Sequence, residues 1–427
     1  MLLSFRVANH GSLREPQELN FVPSYEDERP AVPVVAVYGA NASGKSTLVD
    51  AFRFFRTAVK ESQARWLPGA PVPRRPFLLD RTSRAEPSTY AVDLLVGDVR
   101  YVYGFGTTDH EITEEWLYSY PKARRRVLFE RSGATMTFGP KLGGGRVAAE
   151  HILRPNSLYL SAAAQTSHPE LGRVWKELTA LHIVGDETRQ ALASSSVGAF
   201  LTSLYEAFAD LGLPIGSEVL AAADLGVQEI RPGQERPEVV FPGGFLDLPR
   251  ESKMRVAASR TLEFVHVVAG EEFVLPAEAE SAGTKTWLNL VTRGLSSVLI
   301  GRAMWVDELD ISLHPLLTAK LVSLFQDPEL NPLGAQLIFT THDASLLGTM
   351  LGEQVLRRDQ VWFVEKAPAT GASELYPLSD FKPRKGENFE RRYLAGSYGA
   401  VPLLPETAFE DLLRKHWGTR DAEEVPA

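Results

Sequence analysis

The sequence of 427 residues contains no cysteine. That absence excludes a disulfide framework, a thiolate metal site and a cysteine nucleophile, and it fits a reducing compartment. Nowhere does a run approach the roughly 18 apolar residues needed to cross a bilayer. Polar residues interrupt the opening MLLSFRVANH, so neither a membrane span nor a secretory leader is expected. Positive charge is in deficit as well: 45 Lys and Arg stand against 54 Asp and Glu, a net charge of −9. General attraction to nucleic acid is therefore not expected. One basic cluster, Lys122, Arg124, Arg125 and Arg126, sits at a strand edge, where a solvated face is the commoner reading than a DNA site. No heptad pattern persists and no internal repeat stands out, which excludes a long coiled coil and a solenoid. With 44% hydrophobic and 23% charged residues, the chain suits a large globular core, expected to be soluble and cytoplasmic.

Against that background one stretch carries chemistry. Val34 to Thr47 reads VVAVYGANASGKST: an apolar β-branched strand, a glycine-rich turn, and Lys-Ser-Thr opening a helix. Gly39, Gly44, Lys45 and Ser46 fit G-x-x-x-x-G-K-[ST]. A phosphate chain needs several backbone N–H groups pointing inward, and glycine lets the loop take the required φ and ψ. The amides of Ala40, Asn41, Ala42 and Ser43 complete the cradle, Lys45 reaches the β and γ oxygens, Ser46 can ligate Mg²⁺, and Thr47 is read as an α-phosphate contact.

Upstream, LLSFRV and ELNFV around Asn9-His10-Gly11-Ser12 read as a hairpin. Downstream, a helix is expected from about Ser46 to Val59, then a surface loop, LPGAPVPRRPF, that proline keeps from continuing it. From Tyr90 to Glu130 the apolar period becomes two, as in an antiparallel meander. Residues 157–165, SLYLSAAAQ, are read as a further strand ending at Gln165, and about Glu170 to Leu211 as a helical lobe. Beyond it, PEVVF and LEFVHVV read as strands.

Three later elements belong with the phosphate loop. AMWVDELD, residues 303–310, is an apolar strand emptying into Asp307 and Glu308. This is the Walker B arrangement, with Asp307 as the Mg²⁺ carboxylate and Glu308 as the base for an attacking water. QLIFTTH, residues 336–342, ends a second strand at His342, placed to bond a γ-phosphate; alone it reads more readily as an ordinary polar residue, and its place after the DE strand reverses that preference. Glu280-Ser281-Ala282-Gly283-Thr284 opens a helix, either as a plain N-cap or as a second phosphate-binding turn through Ser281 and Gly283.

In this order the motifs resemble the ABC-class ATPases of the RecF, SMC and OLD-like branch, and within it the RloA-like AAA-family ATPases of bacterial restriction and abortive-infection loci. FRVANHGSLRE, GANASGKST, EEWLYSYPKARRRVLFER, SLYLSAAAQ, ESAGTK, DELDISLHP and RKGENFERRYLAGSYGAVP carry the resemblance. It implies an α/β P-loop NTPase with a two-lobed, ABC-ATPase-like head: residues 1–165 with the P-loop and an antiparallel β lobe, 166–270 an inserted helical lobe, and 271–427 the rest of the core. It also implies ATP and Mg²⁺, a homodimer in which Ser281 and Gly283 complete the partner's nucleotide site, a D-loop at Ser312, Leu313 and His314, and a Q-loop contact from Gln165 to Mg²⁺ or water. A polar linker is an equal reading for Gln165. Alanine replaces a glycine of the signature turn, and histidine an aspartate of the D-loop. The implied activity is ATP hydrolysis with Lys45, Glu308 and His342 catalytic, used as a switch in anti-phage defence and read by a separately encoded, nuclease-like effector. The roughly 85 residues after His342 are too few for a nuclease domain. The alternatives are a RecF-type DNA repair ATPase or a nucleotide-gated scaffold with negligible turnover.

Overall fold

The computed structural model describes residues 1–25, 29–140, 142, 146–166, 168–185, 226–235, 260–276, 279–311, 313–349, 354–382, 386–402 and 407–417. The chain opens with β1 (Leu2–Ala8), β2 (Gln17–Asn20), β3 (Val34–Tyr38), α1 (Lys45–Glu61) and α2 (Arg81–Ala85). The meander follows as β4 (Ser88–Val96), β5 (Val99–Thr107), β6 (Ile112–Tyr120), β7 (Arg126–Ser132) and β8 (Thr135–Phe138). Next come α3 (Arg146–Ile152), α4 (Tyr159–Gln165), α5 (Pro169–Thr179), β9 (His182–Val184), β10 (Val227–Glu235), β11 (Arg260–Val268) and β12 (Glu271–Pro276). The C-terminal part holds α6 (Ala282–Ile300), β13 (Ala303–Val306), α7 (Pro315–Gln326), β14 (Gln336–Thr340), β15 (Val361–Lys366), β16 (Ser373–Pro377), α8 (Phe389–Leu394) and α9 (Ala408–Trp417).

The hairpin and the meander join in one seven-stranded antiparallel sheet, β2-β1-β4-β5-β6-β7-β8. A six-stranded sheet, β16-β15-β3-β14-β13-β9, is parallel apart from its edge strand β16, and β10-β11-β12 form a small antiparallel sheet. Strand β3 is buried along its whole length, as a parallel strand covered on both faces must be. Its alternate residues divide between two cores. Val35 and Val37 face α1 and the antiparallel sheet, whereas Val34, Ala36 and Tyr38 face α6 and α7.

Helix α1 is the element between the sheets. Leu48, Val49, Phe52, Phe55 and Val59 recur at helical spacing and are buried, each contributing about 1.5–3 kcal/mol by leaving water. Phe52 stacks on Trp305 of β13 at 4.0 Å, and Phe55 on Phe105 of β5 at 5.8 Å. Buried Gln336 ties the sheets at one edge: its side chain accepts from Leu2 N at 2.6 Å and donates to Leu2 O at 3.0 Å.

Two expectations are corrected. Residues 159–165 form the helix α4, not a strand. The deciding contact is remote: buried Glu115 of β6 accepts from Tyr159 N at 2.6 Å and Leu160 N at 3.0 Å, capping the helix where its sequence offers no cap. Leu171, Val174 and Leu178 of α5 pack into the core around α1, and β9 pairs in parallel with β13. The proline-rich loop is not wholly at the surface either, since Val72, Arg74 and Phe77 are buried. PEVVF at 237–241 and the end of the expected helical stretch, from 186, lie outside the described residues.

Candidate functional site

Strands β3, β14 and β13 are parallel neighbours, with Val37 beside Thr340 and Phe339 beside Val306. Their C-terminal ends therefore open on one edge, the side where parallel sheets receive ligands. The loop from Gly39 to Gly44 crosses this edge. At Gly44, φ is +117° and a Cβ would lie 2.4 Å from Ser373 Oγ and 2.8 Å from Ser12 Oγ. A Cβ at Gly39 would lie 2.5 Å from both Ser43 Oγ and Val364 O. Both glycines are thus required by space, and Gly44 by conformation too. Gly44 is the N-cap residue of α1, and no side chain caps that terminus. The first-turn amides remain open to an anion, with the positive end of the helix dipole behind them.

Lys45 is buried, and its Nζ donates to Gly39 O at 2.7 Å and Ala40 O at 3.0 Å. Burial lowers its pKa, while the negative charges of Glu308, Asp307 and Asp310 raise it. The ammonium rests on loop carbonyls, a placement from which phosphate oxygens can take it over.

Asp307 and Glu308 are organised by Thr340. Its hydroxyl donates to Asp307 Oδ1 at 2.6 Å and accepts from Glu308 N at 2.6 Å. Asp307 is buried, whereas Glu308 is half-buried in the left-handed region at φ +52°, a strained conformation for a residue with a Cβ. His342 Nε2 lies 3.8 Å from Glu308 Oε1. The His342 amide donates to the Asp310 carboxylate at 3.3 Å. A cleft of about 400 Å³ results, lined by Ser12, Asn41, Ala42, Ser43, Gly44, Lys45, Ser46, Thr47, Glu308, His342 and Lys366.

The donor set suits a nucleotide triphosphate: an uncapped helix terminus, glycines whose side chains would fill the cradle, and a buried ammonium. Ser46 and Asp307 are the residues suited to a divalent cation. No cluster of three or more acidic or histidine side chains that could hold a metal exists among the described residues, so the phosphates would have to supply ligands too.

Other expected residues lie elsewhere. Gln165 lines a separate cleft with Lys60, Glu61 and Trp175, at the opposite end of α1 from Lys45. The helix alone spans about 25 Å, so Gln165 cannot reach a cation at Ser46 of its own chain. Ser281 is exposed and caps α6 by accepting from Thr284 N at 3.0 Å, and neither it nor Gly283 lines the cleft. His314 caps α7, accepting from Leu316 N at 3.2 Å, and Ser312 lies outside the described residues. Sequence reading gave no role to Ser12, Thr340, Lys366 or Ser373. Ser373 Oγ donates to the Ser43 carbonyl and lies 2.7 Å from Ser12 Oγ, bracing the loop from β16. Only Thr340 had a local signal, two residues before His342.

No curated protein matches the chain. Residues 34–136 and 157–348, more than half of the chain, match the family described as "AAA domain, putative AbiEii toxin, Type IV TA system". With its phosphate loop, its acidic strand end and its histidine on one cleft, the chain belongs to this family of AAA-type P-loop ATPases.

Proposed function

We propose that the chain hydrolyses ATP, and that it does so as an ABC-type enzyme of the RecF, SMC and OLD-like branch, akin to the RloA-like ATPases. The observation that carries the reading is the convergence of Lys45, Glu308 and His342 on one cleft. The loop amides and Lys45 hold the β and γ phosphates and neutralise their charge. Ser46 and Asp307 would hold Mg²⁺, which supplies further neutralisation of the phosphate oxygens when bound. Glu308 orients a water and accepts its proton as the oxygen attacks the γ-phosphorus and the bond to the β-phosphate oxygen breaks, leaving ADP and phosphate. His342 bonds the γ-phosphate and keeps Glu308 in register.

In this reading Ser281 and Gly283 serve the partner's site in a homodimer with ATP at its interface. Ser281 is exposed and Gly283 half-buried at the start of α6, and neither lines its own cleft, which supports that role. ATP-driven closure then forms a switch for a separately encoded effector in abortive infection. The toxin and antitoxin wording of the family description supports this setting. Glu308→Gln is the test: ATP binding retained within about threefold and turnover reduced at least about 100-fold. Wild-type turnover by the variant would remove Glu308 from the mechanism.

A further inference from the structure

We propose that the outer face of the seven-stranded sheet is a binding surface for single-stranded nucleic acid. Along β6, Trp116, Tyr118 and Tyr120 alternate with the buried Glu115, Leu117 and Ser119. Residues on one face of a strand recur about every 6.8 Å, so the three rings form a row. Gly104 pairs directly with Trp116, and a Cβ there would lie 2.3 Å from the indole Cζ2. Glycine at this position lets the indole lie flat on the sheet. The Arg125 guanidinium lies over Tyr118 at 3.9 Å and that of Arg100 over Tyr120 at 4.9 Å. These residues, with Arg6, line a cleft of about 460 Å³ that shares no residue with the phosphate cleft.

A row of aromatic and guanidinium planes flanked by cations offers what an unstacked strand requires. Every base has a π face to stack, and phosphates take the guanidinium and ammonium charge. Asp93 pairs with Arg100, and Glu130 with Arg125 at 3.2 Å, offsetting those two cations. Arg6 at one side of the row, and Lys122 and Arg124 on the turn after β6, make no ion pair among the described residues. They add positive charge to a face that also carries Glu18, the cross-strand neighbour of Arg6, and Glu114, two residues before Trp116 on β6, on a chain whose net charge is −9. A duplex keeps its bases stacked inside and would leave the ring row unused, so the surface favours single strands.

The test is fluorescence anisotropy of a labelled oligothymidylate of about 12 nucleotides at low salt. The wild type binds it, with affinity falling as salt rises. Trp116→Ala, and separately Arg6→Ala with Arg125→Ala, each weaken binding at least about fivefold. Thymidine monophosphate and a duplex of equal length compete at least about tenfold less well, and Lys45→Ala binds the strand normally. If Trp116→Ala does not fold, Trp116→Leu, which keeps an apolar cover without a stacking plane, replaces it. No binding, unchanged binding in both variants, equal competition by the monophosphate or the duplex, or loss of binding in Lys45→Ala would overturn the proposal.

Discussion

Thr340 shows how much one hydroxyl can organise. It holds the carboxylate of Asp307 and the amide of Glu308 at 2.6 Å each, across two neighbouring strands. Thr340→Val keeps the shape and removes both contacts, so turnover is expected to fall about 10- to 100-fold, with ATP affinity within about threefold. Steady-state kinetics beside equilibrium nucleotide binding separates the two effects. Gly44→Ala is expected to act on the opposite quantity. With φ at +117° and Ser373 Oγ 2.4 Å from the new methyl, the loop must move. Nucleotide binding is lost while the fold survives a strain of about 1–3 kcal/mol. Calorimetric titration with ATP, checked by thermal unfolding, measures both.

Among the elements, α4 and β9 depend most on partners far along the chain. Glu115 caps α4 and also accepts from Tyr103 Oη at 3.0 Å, with Arg131 Nη1 3.9 Å away. Burial raises its pKa, against the pull of Arg131 and of its amide and phenol donors. Glu115→Ala leaves two amides and the Tyr103 phenol without their acceptor and the buried Arg131 guanidinium, which keeps its carbonyl acceptors, without its counter-charge, and a loss of about 3–5 kcal/mol is expected from the urea midpoint. Strand β9 carries His182, whose pKa is pushed down to about 4 by burial and by Arg293 and Arg302. The folded form holds this imidazole neutral, whereas the unfolded chain protonates it near its ordinary value of 6.5. Its contribution is therefore complete above about pH 6.5 and is lost as pH falls toward 4. Between pH 6.5 and 5 the wild type should lose about 2 kcal/mol that His182→Gln does not. Urea unfolding of the two proteins at several pH values gives the comparison.

For the whole molecule, the decisive quantity is its association state. Ser281 is exposed and does not line its own cleft, so the dimer reading makes a sharp prediction. Glu308→Gln with ATP should elute as a dimer, and added Ser281→Arg should return it to a monomer that still binds ATP. Sizing with light scattering decides it, and a dimer indifferent to ATP would exclude the interface model. The parallel sheet also explains how one site is assembled from distant sequence. β3 comes from the N-terminal part, whereas β13, β14, β15 and β16 follow some 270 residues later, yet register brings their ends to one edge.

The sequence alone determined the chemistry of the cradle, the acidic pair and the meander. Each is local: a glycine-rich turn, a strand ending in carboxylates, or a period of two is written in consecutive residues. Ser12 and Ser373, 361 residues apart and joined at 2.7 Å, carried no such signal. Neither did SLYLSAAAQ, whose apolar run suits strand or helix until Glu115, 44 residues earlier, supplies the missing cap. Tertiary structure decided which strand ends share an edge, that Gln165 lies a helix length from the phosphate loop, and that three rings and their arginines form one surface. Those outcomes depend on strand order and side-chain burial, which set distances between residues that the chain itself keeps far apart.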